Sequence, residues 1–183
     1  LMDDRLALDP LILECSKEAV TNAEERRKVV IGEVKSPISA RGRTSPYWEL
    51  LCKSFLSSAR KHDGEADLIF HGTFGNSDVQ PGIKTIEDAW KWLPYENWIV
   101  HASLTGAQIK EVIAEAKEDR YSDRSLYGLP EAELENDKRY RNLFNSYDSQ
   151  SGGRKLMKLR EMMSEKASKS KLLPINTREA LID

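Results

Sequence analysis

The sequence contains no long hydrophobic run: nowhere do about 18 apolar residues follow one another, the length that a membrane-spanning helix needs. Its first residues also lack the basic segment and apolar stretch of a signal peptide. Charge of one sign does not dominate either, since 32 % of the 183 residues are charged but the net charge is only −2. We therefore expect neither a nucleic acid polymer nor a membrane as a partner.

Metal ligands and thiols are scarce as well. The three histidines, His62, His71 and His101, stand singly and lack the short spacings that are typical of zinc sites. We therefore predict no metal site in this chain. Cys15 and Cys52 each lie among apolar residues at helical spacing, which predicts two small buried thiols rather than a disulfide.

What is present is an alternation of helical and strand-like segments. Apolar residues at helical spacing, together with caps such as Ser45-Pro46 and the pair Thr105 and Gln108, indicate helices. The predicted helices are 8–27, 46–61, a short one after Thr85, one after Thr105, 153–163 and a terminal one after Asn176. The predicted strands are 28–38, 66–70, 97–104 and 140–146. The stretches 117–138 and 166–171 are interpreted as irregular.

This alternation predicts an α/β (α+β) fold, with one layered domain whose mixed β-sheet carries helices packed on its faces. The sheet should be mixed because several connections are too short for the crossovers that parallel strands need. We divide the chain into an N-terminal linker helix at 1–27 and a domain at 28–183.

The segment 66–115 is the most distinctive part of the sequence. A strand-like stretch is followed by a glycine-containing loop and then by the motifs GIKT at 82–85, PYEN at 94–97 and LTGAQ at 104–108. This order resembles the C-terminal, substrate-binding domain of the 5′-nucleotidase / 2′,3′-cyclic phosphodiesterase family of metallophosphoesterases, which carries N-x-G-G-x-R, G-x-I-T, P-F-x-N and L-x-G-x-Q. The resemblance extends from about Val29 to Asp183 and implies a fold like that of the 5′-nucleotidase C-terminal domain.

The resemblance also implies where a substrate would bind. Arg41 and Arg43 stand just before a predicted helix, at the place of a family arginine that holds the substrate phosphate. The loop that matches N-x-G-G-x-R supplies His71, Phe74 and Asn76 as further substrate-binding candidates. In this loop the family's asparagine and phosphate-binding arginine have become His71 and Asn76.

Two aromatic rings and one arginine complete the implied site. Tyr95 stands where the family has one of two rings that enclose the base. Tyr147 and Asp148 occupy the region of the second ring and of a ribose-binding aspartate, ahead of a Gly-Gly pair that the family shares. Arg154 follows that pair, at the place of the family's aspartate. One loop has thus lost a positive charge and another has gained one, which we interpret as altered specificity; drift after loss of function is the alternative.

The catalytic chemistry of the family resides in another domain. It needs two divalent metal ions, held by D-x-H, G-D-x-x-D, G-N-H-[DE] and G-H-x-H motifs of an N-terminal domain, and these motifs do not occur in this sequence. The resemblance therefore implies a substrate-recognition domain without catalytic residues, excised from an enzyme that hydrolyses a nucleotide or a related phosphorylated metabolite. Its expected partners are that phosphorylated small molecule and the N-terminal metallophosphoesterase domain of the same chain.

Two other classes of function stay open. The stronger alternative is a non-catalytic structural or partner-binding domain with an eroded nucleotide pocket. The basic stretch 154–171 suggests a nucleic-acid module, although its charges lie opposite the apolar stripe of Leu156, Leu159 and Met163, as in an ordinary docked surface helix. Family members are often periplasmic or secreted, whereas this sequence shows no targeting signal and leaves the compartment open.

Overall fold

A computed structural model of the chain describes residues 9–73, 77–120 and 122–183. Its helices are α1 (Pro10–Arg27), α2 (Pro46–Arg60), α3 (Ile86–Trp92), α4 (Gly106–Glu118), α5 (Ser146–Ser149), α6 (Met157–Ser164) and α7 (Thr177–Ile182). Its strands are β1 (Val30–Val34), β2 (Leu68–His71), β3 (Gly82–Thr85), β4 (Trp98–Thr105), β5 (Ser125–Tyr127), β6 (Arg139–Asn145) and β7 (Lys171–Asn176).

Local sequence signals set where several helices begin. The Ser45 hydroxyl accepts the Trp48 N–H at 3.2 Å, and Pro46 occupies the first helical position of α2. At α4, Thr105 and Gln108 form a reciprocal capping box, with bonds of 2.9 and 3.2 Å. Asn176 caps α7 in the same way. These helix starts are confirmed as predicted.

The main sheet is mixed. Its five strands lie in the order β5-β2-β6-β4-β7, and β2 and β6 run parallel while the other neighbouring pairs run antiparallel. Strands β1 and β3 form a separate two-stranded antiparallel ribbon. The mixed sheet is therefore confirmed.

Helices cover both faces of this sheet. Because alternate side chains of a strand point to opposite faces, Ile69 and Leu143 join the core under α2 and α7, whereas Leu68 and Phe144 join the core under α4 and α6. The chain is thus a three-layer α/β domain, which confirms the predicted fold class.

Several segments differ from the sequence prediction, including β3 and β7, which were not predicted as strands. The stretch 117–138 contains β5, which pairs antiparallel with β2. The helix predicted over 153–163 begins only at Met157, because Arg154 and Leu156 adopt positive φ angles of 60° and 53° that break a helix. Leu156 and Leu159 of the expected stripe are buried, and Met163 is partly buried against the same core beside the buried Met162.

The two cysteines also differ from each other. Cys52 is buried in α2, as predicted, but Cys15 is exposed and the prediction for it is wrong. The reason is that α1 buries none of its described side chains, so its apolar residues find no core to join. The division into a linker helix at 1–27 and a domain at 28–183 stays a prediction.

Candidate functional site

One end of the main sheet collects loops that carry predicted site residues. Strands β2, β6 and β7 end there, whereas the antiparallel strands β4 and β5 begin there. The register places His71 opposite Ser125 and Trp98 opposite Asn176. We call this end the site end of the sheet. Ligands of layered α/β domains bind beside such strand ends, because loops from several strands meet there.

The segment 39–45 carries Arg41 and Arg43 and lies against the loop that follows β2. The Ala40 N–H donates to Asp78 Oδ1 at 2.9 Å, which fixes the two segments together. Both arginines are exposed and precede α2, at the place where the sequence predicted them. The two guanidinium groups therefore lie to one side of the site end, next to the beginning of α2.

His71 lies beneath the site end rather than on its surface. Its side chain is 1 % exposed and its ring packs edge-on against Phe55, with 5.0 Å between the ring centroids. The indole N–H of Trp48 donates to the His71 carbonyl at 2.8 Å. The other two candidates of this loop, Phe74 and Asn76, lie outside the described residues.

Asp123 holds the loop after β2 and was not among the sequence candidates. Its Oδ2 accepts the Thr73 N–H at 2.7 Å and the Thr73 hydroxyl at 2.8 Å. A Cβ atom on Gly72 would lie 2.2 Å from Asp123 Oδ1, so only glycine permits this approach. The polar segment before β5 is thereby bound to the site end.

Asp148 and Arg124 form a buried ion pair at the same end. The Arg124 Nε and Nη2 atoms donate to the two carboxylate oxygens at 2.8 and 2.7 Å, and the two side chains are only 14 % and 2 % exposed. The Asn145 side-chain amide donates to Asp148 Oδ2 at 2.8 Å. Burial alone would lower the pKa of Arg124, but the hydrogen bond and charge of Asp148 raise it above its ordinary value.

This ion pair stands next to Tyr147, whose ring lies on the Gly152-Gly153 backbone. A Cβ on Gly152 would lie 2.4 Å from the Tyr147 ring, and one on Gly153 would lie 2.8 Å from its hydroxyl. The two glycines are therefore needed to seat the ring, which is still 44 % exposed. Asp148 and the glycines together fix an aromatic surface that is open to solvent on one side.

Tyr95 is the second exposed ring near this end. It lies in the turn between α3 and β4 and is 64 % exposed. The Trp98 N–H, at the beginning of β4, donates to the Ser146 hydroxyl at 3.0 Å. This bond joins the end of the turn that carries Tyr95 to α5, the short helix that carries Tyr147.

Arg154 lines a small cavity of about 280 Å³ beside the same loop. Arg124 and Lys155 also line this cavity, together with carboxylates that include Glu115 and Asp119. Lys155 pairs with Asp119, whereas the exposed Arg154 has no ion-pair partner within the described ranges. Arg154 is thus an exposed cation that lines this cavity.

The first turn of α6 donates its backbone N–H groups to a side chain of α4. Glu115 Oε1 accepts the Met157 N–H at 2.7 Å, and Glu115 Oε2 accepts the Lys158 N–H at 3.1 Å. A carboxylate of the chain itself therefore occupies the beginning of this helix, where the helix dipole favours negative charge. Gly152 and Gly153 lie in a 3₁₀ turn ahead of it.

Acid should weaken this end of the sheet. Burial lowers the pKa of His71, so the folded state holds a neutral imidazole, and protonation favours unfolding below the unfolded value of about 6.5. Burial alone would raise the pKa of Asp123, but its hydrogen bonds with Thr73 lower it. The stability that these bonds contribute is lost as pH falls through that lowered pKa.

We expect the free energy of unfolding, measured with urea, to fall between about pH 6.5 and 5, with a shallower slope in His71→Gln. An identical slope in the variant would contradict the role of His71.

Neither a metal centre nor a membrane-spanning helix is found among the residues that the structure describes. Among the described residues, no group of three or more histidine, cysteine, aspartate and glutamate side chains could hold a metal ion. No helix in those ranges is long and apolar enough to cross a membrane. The described side chains therefore do not fit a resident metal, and we derive no metal-dependent step for this chain.

Several solved structures share the fold of this chain. A 5′-nucleotidase precursor from Thermus thermophilus superposes with a TM-score of 0.71 at 15 % identity, over 97 % of this chain and 40 % of that one. The NAD nucleotidase of Haemophilus influenzae gives a TM-score of 0.67 at 15 % identity, over 95 % of this chain and 38 % of that one. The fold is that of a domain found within nucleotidases, and this chain spans about 40 % of their length.

Sequence comparison gives the family. A family model described as "5′-nucleotidase, C-terminal domain" matches residues 30–130, which is more than half of the chain. A protein of Treponema pallidum named "Probable 5′-nucleotidase" is 32 % identical over 68 residues, which make up 37 % of this chain and 12 % of that protein. The chain belongs to the 5′-nucleotidase C-terminal domain family, and the resemblance described from its motifs is confirmed.

Proposed function

We propose that this chain is the substrate-recognition domain of a 5′-nucleotidase-like metallophosphoesterase. The parent enzyme would hydrolyse a phosphate ester, either a nucleotide or a related phosphorylated metabolite. The observation that carries the proposal is the site end of the sheet in a chain of this family. There, two exposed tyrosines and an arginine with no ion-pair partner among the described residues stand on neighbouring loops. Both stacking and anion binding are thereby available to one ligand.

Each candidate residue takes a role that fits its position. Tyr95 and Tyr147 would stack on the base, since both rings are exposed. Arg154 would bind the phosphate or another anionic group. Asp148 would act through Tyr147, because its carboxylate is already engaged by Arg124. Direct contact of Asp148 with a ribose, as the resemblance implied, stays a prediction.

The remaining candidates have less direct roles, and Phe74 and Asn76 lie outside the described residues. Arg41 and Arg43 would hold phosphate from the flank of α2, because they are exposed beside the loop after β2. His71 would support that loop from below, since it is buried. For Phe74 and Asn76 the binding role stays a prediction from the resemblance.

The chemistry of hydrolysis would belong to an N-terminal domain of the same parent chain. We propose that this domain binds two divalent metal ions, as the family resemblance implies, and that the present domain presents the substrate to it. The fold alone does not fix the substrate. A Thermus thermophilus protein with a TM-score of 0.56 and 14 % identity is named as a sulfate thiohydrolase.

A structural or partner-binding domain is the second candidate function. The specific observation in its favour is that Glu115, Glu118 and Asp119 line the same cavity as Arg154 and would repel an anionic ligand. Under this alternative Arg154 is an ordinary solvated side chain, and the chain binds no phosphorylated compound.

Replacement of Arg154 separates these two functions. We expect Arg154→Ala to raise the Kd for a nucleoside 5′-monophosphate by on the order of tenfold or more, the factor that a charge-assisted hydrogen bond supplies. Isothermal titration calorimetry on the chain measures it, and the Michaelis constant of the full-length parent should rise by a similar factor. The melting temperature should not change, because the side chain is exposed.

Arg60→Ala is the matched control for this experiment. Arg60 is also exposed, but it lies at the end of α2 and beside His101, away from the site end. It should leave the Kd unchanged although it removes the same charge. An unaltered Kd in Arg154→Ala would rule out the anion-binding role of Arg154, and no binding by the unmodified chain would favour the structural alternative.

A further inference from the structure

Arg178 is a buried arginine outside the site described above. It stands in the first turn of α7 and is 5 % exposed. Burying a guanidinium group is unfavourable unless its donors are satisfied, so a buried arginine indicates a specific set of partners. The identity of these partners shows what Arg178 holds in place.

The hydrogen-bond acceptors of Arg178 lie at one end of the turn that carries Tyr95, and Glu96 of the same turn forms a long ion pair with it at 3.9 Å. Arg178 Nε donates to the Leu93 carbonyl at 3.1 Å, and Nη2 donates to the Pro94 carbonyl at 3.3 Å. The guanidinium carbon lies 3.9 Å from the centroid of the Trp90 ring, a stacked arrangement that orients the planar group. Arg178 therefore fixes the beginning of the turn by two hydrogen bonds and a stack.

The other end of the same turn is bound to the same helix. The Thr177 N–H donates to the Asn97 carbonyl at 2.7 Å. Residues 93–97 are thus fastened at both ends to the first turn of α7, while Tyr95 itself projects with 64 % of its surface exposed. Burial contributes little to the position of such a ring, so the backbone of the turn that carries it matters for where it stands.

Helix α7 is itself firmly seated, which makes it a suitable anchor. Asn176 and Glu179 cap its beginning reciprocally. At its other end, the Asp183 carboxylate accepts the Ser58 hydroxyl at 2.9 Å and pairs with Lys61 at 2.8 Å, so the helix is held against the end of α2. A displacement of the turn 93–97 therefore requires the Arg178 contacts to break.

We propose that Arg178 is a positioning residue for substrate recognition: from outside the site, it holds the turn 93–97 so that Tyr95 stands where it can stack on the substrate. The proposal rests on the proposed function, since it takes Tyr95 as a substrate-contacting ring. Helix α7 would then contribute to substrate specificity in addition to packing against α2.

The first arm of the test needs no ligand. Arg178→Met keeps an apolar side chain over Trp90 but removes both guanidinium hydrogen bonds to the turn. By ¹⁵N relaxation of the chain, the order parameters of the Tyr95 and Glu96 amides should fall from about 0.85 to below about 0.6. The Tyr147 amide should not change. Unchanged order at Tyr95 would overturn the proposal whatever the chain binds.

The second arm is a double-mutant cycle on the Kd for a nucleoside 5′-monophosphate. Arg178→Met should raise this Kd by about tenfold, the scale of losing a base–aromatic stack. In a Tyr95→Ala background the same substitution should change it by less than about twofold, because the ring through which Arg178 acts is gone. In a Tyr147→Ala background the full effect should persist. An equal loss in the Tyr95→Ala background would overturn the positioning role.

Two further variants keep the test decisive. Arg178→Lys can still reach one carbonyl and should give intermediate order parameters and an intermediate Kd, so it carries the test if Arg178→Met fails to fold. Arg141→Met, at a half-exposed arginine of the opposite sheet end, should leave both measurements unchanged. If order falls at Tyr95 but the unmodified chain binds no nucleotide, the proposed function fails and the role in recognition fails with it, while the clamp on the turn is established.

Discussion

Replacing Asp148 with alanine should lower the free energy of unfolding by about 3–5 kcal/mol, the usual result of removing one partner of a buried ion pair. Asp148 is 2 % exposed and Arg124 is 14 % exposed, so the variant would leave a guanidinium group desolvated and without its carboxylate. The Asn145 amide would lose its acceptor at the same time. Urea denaturation at neutral pH, with the unmodified chain as reference, measures the difference.

Asp67→Ala provides a matched control with the same substitution and a similar fork geometry. Arg141 Nη2 and Nε reach the Asp67 oxygens at 2.7 and 3.1 Å, but each side chain of this pair is 45 % exposed. Solvent screening limits such a pair to about 1 kcal/mol or less. A loss in Asp148→Ala no larger than that in Asp67→Ala would contradict the view that burial makes the Arg124 pair essential to the site end.

Phe55→Ala should be the second severe change, with an expected loss of about 3–5 kcal/mol of unfolding free energy. Phe55 is 0 % exposed and fills the core between α2 and the sheet, where its ring contacts His71. The cavity left behind lies directly under the site end, so the loop after β2 should loosen as well.

The neighbouring residue Leu56 gives the control for this prediction. It is only partly buried against the same core, so Leu56→Ala should cost less. Thermal unfolding followed by circular dichroism compares the two variants. A smaller loss in Phe55→Ala than in Leu56→Ala would mean that the core under the site end is not packed as described.

Features with a local chemical cause were predictable from the sequence. At the beginning of α2, α4 and α7, the side chain of the N-cap residue accepts the backbone N–H three residues further along. Residue pairs with this spacing are visible in the sequence. The main-sheet strands predicted at 66–70 and 97–104 are apolar because they lie between two helical layers. Their order along the chain was enough to give the layered fold.

Features that depend on distant partners were not predictable. Strand β5 is three residues long and half-buried, and it exists because it pairs with β2, more than 50 residues earlier along the chain. Trp90 in α3 stays 56 % exposed, and the group that stacks on its ring, Arg178, comes from near the end of the chain. No local pattern shows either contact.

The candidate site likewise contains residues that the sequence could indicate and residues that it could not. The resemblance directed attention to Tyr95, Tyr147 and Arg154, which lie on loops at or beside the site end. The resemblance could not show that Arg124 forms an ion pair with the Asp148 carboxylate, because Arg124 lies in a polar stretch without a recognisable motif. Buried partners of this kind emerge only when distant segments are brought together.

The most direct test of the central claim is an NMR titration of the ¹⁵N-labelled chain with a nucleoside 5′-monophosphate. We expect amide shifts to concentrate in 93–98 and 145–156, the segments that carry the two tyrosines and Arg154 at the site end. The amides around Glu65 and Arg141, toward the opposite sheet end, should stay unchanged. No shift at saturating nucleotide, or shifts centred on Glu65 and Arg141, would contradict a recognition site at this end of the sheet.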